Sequence, residues 1–239
     1  MRTLRILLIA LWAALSMLSL STCDTIQKTL RAVGVAGKPA LVVAASQSGS
    51  AEAITVLLIA VQSQQDAPET ISAALAAAAA QNEHPDVIKV LLQAERRQRD
   101  SRAAISAALL SAAFHNPNPE VVIVLLEAGA DINAHDSLSG MTPLMNAARY
   151  NPNREVITQL IGGGADINAQ DYSGMTALMH ASRSTSIFPP NPEVITVLLE
   201  AGASSKIKSD EGETAFDYAQ HNERLEGTDA YQKLQDALY

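Results

Sequence analysis

The chain has very little cysteine and few aromatic residues. Cys23 is the single cysteine among 239 residues, so no disulfide can form within the chain. Phe, Trp and Tyr make up only 4% of the composition, although 48% of the residues are hydrophobic. The sequence therefore excludes a disulfide framework and indicates a core of aliphatic and alanine side chains.

Positive charge is also scarce. The 17 Lys and Arg residues face 25 Asp and Glu residues, which gives a net charge of −8. A chain of this charge repels nucleic-acid phosphates, so we expect no nucleic-acid partner. Arg96, Arg97, Arg99 and Arg102 form the one basic cluster that we single out. Arginines at the end of a helix complement its dipole, and we prefer this interpretation to an anionic-ligand patch.

The sequence has none of the catalytic motifs that we sought. It contains no His-Glu-x-x-His, no Gly-x-Ser-x-Gly and no pair of cysteines. The segment "GVAGKP" ends like a phosphate loop, but Ala32 and Pro39 stand where that motif needs Gly and Ser or Thr. Positions in surface loops explain the histidines better than a metal site does. We therefore predict no enzyme activity, no cofactor and no metal site, with the histidines in separate units: His84, His115, His135, His180 and His221.

A short pattern recurs along most of the chain. An acidic residue is followed by aliphatic residues, at intervals of 34, 34, 35, 38 and 36 residues, from Glu52 through Asp86, Glu120, Glu155 and Glu193 to Asp229. In such a unit, aliphatic residues spaced as in "VITQLI" lie on one side of a helix, and the acid suits its first turn. A unit of this length cannot bury its apolar side alone. The period therefore predicts an all-α solenoid of about six stacked helix pairs.

The residues between the helices predict how each unit begins and ends. Gly129, Gly164 and Gly202 follow aliphatic stripes, where a left-handed helix cap favours glycine. Thr142 and Pro143 form an N-cap followed by a proline at the first helical position. Each unit is therefore expected to contain a projecting turn, a short helix, a tight loop and a second helix.

The phrases "GADINAHDSLSGMTPLMNAA" and "GADINAQDYSGMTALMHAS" resemble ankyrin repeats, and the "NPNREVI" segment between helices is similar to bacterial members. The resemblance implies a domain over 37–239, with degenerate repeats in 37–119, typical repeats in 120–222 and a C-terminal cap in 213–239. It also implies short β-hairpin-like fingers in the C-terminal half. Met145 and Met179 replace the usual histidine of the motif. For 37–119, a tetratricopeptide-like arrangement is the alternative.

The same resemblance implies a protein partner that binds the concave face and the finger tips. We expect a non-enzymatic interaction module or scaffold and a monomer. The alternatives are an enzyme with a site assembled across repeats and a secreted effector that acts on a host protein. The predicted contact residues are those not reserved for turns or core in two adjacent units: His135, Ser137, Leu138, Met141, Asn146, Arg149, Tyr150, Gln170, Tyr172, Met175, His180 and Arg183.

Two details of this surface remain open in the sequence. Tyr150 could instead pack against the adjoining "NPN" loop. The insertion "STSIFPP" lengthens its unit and is expected to form a peripheral loop away from the fingers.

The first 22 residues resemble a signal peptide. Arg2 and Arg5 precede an apolar run of 15 residues, 6–20, which is short for a membrane span. Cys23 follows this run as in a bacterial lipoprotein, although Thr22 is unusual before a lipidated cysteine. We expect lipidation of Cys23, a tether over 23–36 and a periplasmic or membrane-anchored location in the cell envelope. Secretion after ordinary cleavage and an uncleaved anchor are the alternatives.

Lipidation of Cys23 can be tested by metabolic labelling. The chain should incorporate a labelled fatty acid, and Cys23→Ala should abolish the incorporation because no other thiol is present. Label that persists in Cys23→Ala would contradict the prediction.

Overall fold

A computed structural model describes residues 38–61, 67–97, 101–183 and 191–238. The predicted signal peptide, the tether and the insertion at 184–190 lie outside the described residues. Within the described ranges the chain forms helices α1 (Lys38–Gln47), α2 (Ala51–Val61), α3 (Ala67–Gln81), α4 (Pro85–Glu95), α5 (Ser101–His115), α6 (Pro119–Glu127), α7 (Pro143–Tyr150), α8 (Arg154–Gly162), α9 (Ala177–Ser182), α10 (Pro192–Glu200), α11 (Ala215–Gln220) and α12 (Asp229–Leu238).

These helices form pairs that stack in two layers. Each odd-numbered helix contacts the even-numbered helix that follows it, and it also contacts the odd-numbered helices of the neighbouring pairs. The even-numbered helices contact one another in the same order. The predicted all-α solenoid is thus confirmed. Among the described residues, no helix combines the length and the apolar character that a membrane crossing requires.

The even-numbered helices begin and pack as the repeated pattern predicts. The acidic residue lies in the first turn of each of them. At the start of α6, the Asn118 side chain accepts a hydrogen bond from the amide of Glu120, and a proline follows. Val121, Val122 and Leu125 are fully buried, whereas Leu126 is only half-buried. The aliphatic side of each even-numbered helix therefore supplies core between neighbouring pairs.

Alanine supplies much of the buried surface of α3 and α5. In α3 and α5 the side chains with no exposed surface include Ala74, Ala78, Ala79, Ala108, Ala112 and Ala113. A methyl group lets two helix backbones approach closely and costs no side-chain entropy on burial. Close packing of small side chains thus accounts for the low aromatic content.

Threonine begins the short odd-numbered helices of the C-terminal half. The Thr142 side chain accepts from the Met145 amide, and the Met145 thioether lies 3.4 Å from the Thr142 amide nitrogen. Thr176 and Met179 repeat this arrangement, with the same 3.4 Å separation between sulfur and amide. At both methionines that replace the expected histidine, the thioether sulfur therefore accepts the hydrogen bond from the backbone amide of the capping threonine.

A buried asparagine follows several odd-numbered helices and joins each pair to the one before it. The Asn82 side-chain amide donates to the carbonyls of Ala45 and Ser48 at 2.8 and 2.7 Å. Its side-chain oxygen accepts from the amide of His84 in its own loop, at 2.9 Å. Asn116 is fully buried and donates in the same way to the carbonyls of Ala79 and Asn82.

The series continues toward the C-terminus with one change. Asn151 donates to the carbonyls of Ala113 and Asn116, at 3.1 and 2.9 Å. After α9 the equivalent position is Arg183, which is exposed. Asn222 then donates to the Ser182 carbonyl at 2.9 Å. We call Asn82, Asn116, Asn151 and Asn222 the asparagine ladder.

The fingers are turns, and the described residues contain no strand. The amide of Asp171 donates to the Met175 carbonyl, and the amide of Tyr172 donates to the Ser139 carbonyl of the preceding finger at 3.0 Å. The Asp171 carboxylate accepts from the amides of Ser173 and Met175. Because the side chain takes amide donors that a strand ladder would use, the predicted β-hairpin-like fingers are not supported.

The asparagine ladder should contribute measurably to the stability of the stack. Asn116→Ala leaves two carbonyls and one amide without their partners in the interior, so it should lower the free energy of unfolding by about 3 kcal/mol. Gln81→Ala, an exposed change at the end of α3, is the matched control and should cost about 0.5 kcal/mol or less. Urea denaturation at equilibrium measures both values. Equal effects of the two variants would show that the ladder contributes no special stability.

Candidate protein-binding surface

We define the odd-helix face as the surface formed by the odd-numbered helices and by the turns at 131–141, 165–175 and 203–213. The predicted contact residues all belong to it, but the structure does not expose all of them. His135, Ser137, Leu138, Gln170, Tyr172 and Arg183 are exposed, and Arg149 and Tyr150 are half-buried. The exposure expected of four others is wrong, because the interior contains Met141, Asn146, Met175 and His180.

These four residues are buried because each turn folds back over the helix that follows it. Met141 and Met175 are the last residues of their turns and are 6% and 4% exposed. Asn146 and His180 occupy equivalent places, four residues after the capping threonine, beneath the turns. Sequence reasoning treated every position outside the repeat motif as available to a partner. The sequence does not indicate that the turn covers this part of the helix, because that contact depends on the tertiary structure.

His180 and Asp171 form a buried ionisable pair between a helix and its turn. Their side chains are 2% and 5% exposed, and His180 Nε2 lies 2.8 Å from Asp171 Oδ2. Burial lowers the pKa of His180, the hydrogen bond to Asp171 opposes this effect, and the positive charges of Arg149 and Arg183 add to it. His180 is therefore neutral near pH 7, and its Nε2–H donates to the carboxylate.

Asp171 stays ionised in this environment. Burial alone would raise its pKa, but the hydrogen bonds from His180 and from the amides of Met175 and Ser173 lower it. In the next unit, Tyr218 donates its hydroxyl to Ser209 at 3.1 Å between equivalent elements. The same helix-to-turn hydrogen bond thus occurs at matched places in two units. We call it a structural brace, because it holds the turn against the helix.

A groove of about 660 Å³ that is open to solvent lies on this face. It crosses three consecutive odd-numbered helices, α3, α5 and α7, and one turn. Its lining is apolar for most of its length and becomes polar near α7. The lining residues are Ala76, Ala77, Ala80, Leu110, Ser111, Phe114, His115, Asp136, Ser139, Met141, Asn146, Arg149 and Tyr150.

Aromatic contacts hold Arg149 at one side of this groove. The Tyr150 ring stacks on the Phe114 ring of α5, with centroids 4.1 Å apart and an angle of 17°. The Arg149 guanidinium carbon lies 5.0 Å from the centroid of the Tyr150 ring. Tyr150 thus belongs to the groove wall and packs on the preceding helix pair.

A second, smaller cavity of about 360 Å³ lies between two fingers. It is lined by His135, Gly140, Gln170 and Tyr172, among others, and the rings of His135 and Tyr172 are 6.4 Å apart in an edge-on arrangement. Leu138 is 93% exposed and Tyr172 is 62% exposed. Tyr172 therefore lines a different cavity from the one that Arg149 and Tyr150 line.

Among the residues that the structure describes, no three His, Cys, Asp or Glu side chains are grouped so that they could hold a metal ion.

Comparison with known protein families agrees with this architecture. The family model described as Ankyrin repeats (3 copies) matches residues 41–136, 109–209 and 144–229, which together cover most of the chain. The chain belongs to the ankyrin-repeat family. This family mediates protein–protein interaction, so the ankyrin repeats imply a protein partner for this chain. A search of curated proteins found no significant match.

Sequence reasoning missed the groove and the asparagine ladder of this ankyrin-repeat chain. The ladder does have a sequence signal, since Asn82, Asn116 and Asn151 recur with the period of the repeat. The groove has a weaker signal in the alanines that follow one another at helical spacing in α3. Neither signal says which side chains of different helices meet.

The lowered pKa of His180 predicts a pH-dependent stability. The unfolded chain binds a proton at the ordinary histidine pKa of 6.5, whereas the folded chain binds it only at lower pH. Stability is therefore lost as the pH falls below this value, and from pH 7.5 to 5.5 the loss should be about 1 kcal/mol. His180→Asn, which introduces the residue of the preceding unit, should remove this loss from urea denaturation curves.

His115→Asn at an exposed histidine of α5 is the matched control, and its curve should keep the pH dependence of the parent chain. The prediction fails if His180→Asn and the parent lose equal stability over this range.

Proposed function

We propose that the chain is a non-enzymatic protein-binding module or scaffold of the bacterial cell envelope, and that the odd-helix face holds its partner. On this proposal the six helix pairs of the described ranges are six ankyrin repeats, and the odd-helix face is the concave face of the stack. The groove across α3, α5 and α7 is the observation that carries the proposal, because it joins an apolar floor to an arginine and a tyrosine. Arginine and aromatic residues are enriched at the centres of protein interfaces.

The two exposed apolar side chains of the fingers support the same surface. Leu138 is almost fully exposed, and Tyr172 of the next finger is exposed and has its ring over Gly140. Burying such side chains against a partner lowers the free energy, because apolar surface is removed from water. In the isolated chain these side chains contribute no stability.

The alternative function is an enzyme with a site assembled across repeats, and the buried pair of His180 and Asp171 is the observation that suggests it. His180 and Asp171 have shifted pKa values, as catalytic groups often do. Their side chains are almost entirely inaccessible, however, and the Asp171 oxygens are occupied by His180 and two backbone amides. These observations favour the structural brace over a catalytic acid and base.

The location in the envelope is proposed from the N-terminal sequence. The basic start, the apolar run and Cys23 support export followed by lipid attachment, and 23–36 would then tether the repeats to a membrane. A secreted effector that binds a host protein would use the same surface without the anchor.

Tyr172→Ala should weaken binding to a partner captured from envelope fractions by about 1 to 2 kcal/mol, because a large exposed ring would lose its contact area. The melting temperature should change little, since the backbone bond between Tyr172 and Ser139 is retained. Thr158→Ala at an exposed position of α8 is the matched control in the even-helix layer. Calorimetric titration measures both affinities. If Thr158→Ala weakens binding and Tyr172→Ala does not, the partner binds the other layer.

A further inference from the structure

The groove combines an apolar floor with a single positively charged guanidinium in its wall. Ala76, Ala77 and Ala80 of α3, with Leu110 and Phe114 of α5, form its apolar part. Arg149 enters from α7, and no carboxylate of the described residues pairs with its guanidinium. The Nε of Arg149 is buried and has no hydrogen-bond partner there. A carboxylate that bonds the guanidinium would supply the negative charge that the described residues do not provide.

The other charged group of the groove wall has its hydrogen-bonding capacity in use. Asp136 accepts from the amides of Leu138, Ser139 and Met141 and from the Ser139 hydroxyl. All four bonds come from residues of the turn, so the carboxylate stabilises the turn and has little capacity left for a partner. Of these two charged groups, Arg149 is therefore the one that can still pair with a partner.

The guanidinium is also held in place before any partner arrives. Arg149 lies over the Tyr150 ring, and that ring stacks on Phe114. A side chain that is already ordered loses less entropy on binding than a mobile one. Planar recognition of a carboxylate by two parallel hydrogen bonds is the contact that such a guanidinium suits best.

The dimensions of the groove match a peptide segment. Helices pack about 10 Å apart, so a groove that crosses three odd-numbered helices is about 20 Å long. About six residues of extended chain span that length. Because the groove is open along one side, the peptide backbone can keep its polar groups in water while alternate side chains enter the apolar floor.

We propose that this groove binds an extended apolar segment of the protein partner that carries a carboxylate, and that the carboxylate pairs with Arg149. The inference rests on the proposed function and specifies the chemistry of the partner. It runs against the net charge of −8, since nonspecific attraction would favour basic peptides. A preference for acidic peptides would thus report pairing with the Arg149 guanidinium and not the overall charge of the chain.

The test uses random peptides of about 12 residues displayed on phage and selected on the full chain. Selected peptides should contain Asp or Glu beside Leu, Ile, Val or Phe. A synthetic peptide of selected sequence should bind about tenfold more weakly to Arg149→Gln, and about threefold or less more weakly to Arg149→Lys, which keeps the charge. Replacing the peptide's acid by its amide should have the effect of Arg149→Gln, and added salt should weaken binding to the parent chain.

Two matched controls separate the groove from the rest of the surface. Arg154→Gln removes an exposed arginine of α8 that pairs with Glu193, and peptide affinity should be unchanged. Ala80→Leu leaves Arg149 unchanged but fills the groove floor and should weaken binding by about tenfold or more, whereas Ala201→Leu at an exposed position after α10 should not. Ala80→Leu keeps the proposal testable if Arg149→Gln does not fold.

Three outcomes would overturn the inference. The first is selection of peptides without acidic residues, and the second is equal affinity for Arg149→Gln and the parent chain. The third is preferential binding of a free fatty acid such as palmitate in the groove, with no peptide selected. In each case the proposed protein-binding function is judged separately, by the Tyr172→Ala measurement with a captured partner.

Discussion

The geometry of this stack depends on buried asparagine side chains, because each buried side-chain amide needs two carbonyl acceptors. Asn116 meets this requirement by bonding to Ala79 and Asn82 of the preceding pair while its oxygen holds the amide of Asn118. Apolar contacts are not directional, so alanine packing alone would let neighbouring helices slide or rotate. The hydrogen bonds tolerate little error because any mismatch leaves polar groups unsatisfied in the interior. Where it is present, the ladder thereby fixes the position of one pair on the previous one.

The odd-helix face depends on that regular placement. With the helix spacing fixed, the alanines of α3 form a continuous floor, and the aromatic side chains of α5 and α7 stack at its edge. Arg183 stands where the ladder would continue, directly before the insertion. The alanine floor and the groove are thus built where the ladder of Asn82, Asn116 and Asn151 is uninterrupted, and the pairs that follow bear no asparagine at that place until Asn222.

Much of the fold could be predicted because its signals are local. The acidic residue before each aliphatic stripe, the threonine cap and the glycines at 129, 164 and 202 act within one turn of their own position, and the structure has each of them as expected. The contact surface was harder to predict. Met141, Met175, Asn146 and His180 share a unit with exposed neighbours, and only the fold of the turn over the helix distinguishes them. Arg149 and Tyr150, in contrast, do line the groove.

The sequence by itself determined the period, the helical class, the order of elements and the positions of the helix caps, because all of these follow from spacing and from short-range hydrogen bonding. Only the tertiary structure decided which side chains meet across pairs: the carbonyls that the asparagines reach, the burial of His180 against Asp171, and the apolar groove beside Arg149. These contacts join residues that are far apart in sequence or lie on different turns of the backbone. Their existence depends on the relative placement of whole helices, which no local pattern encodes.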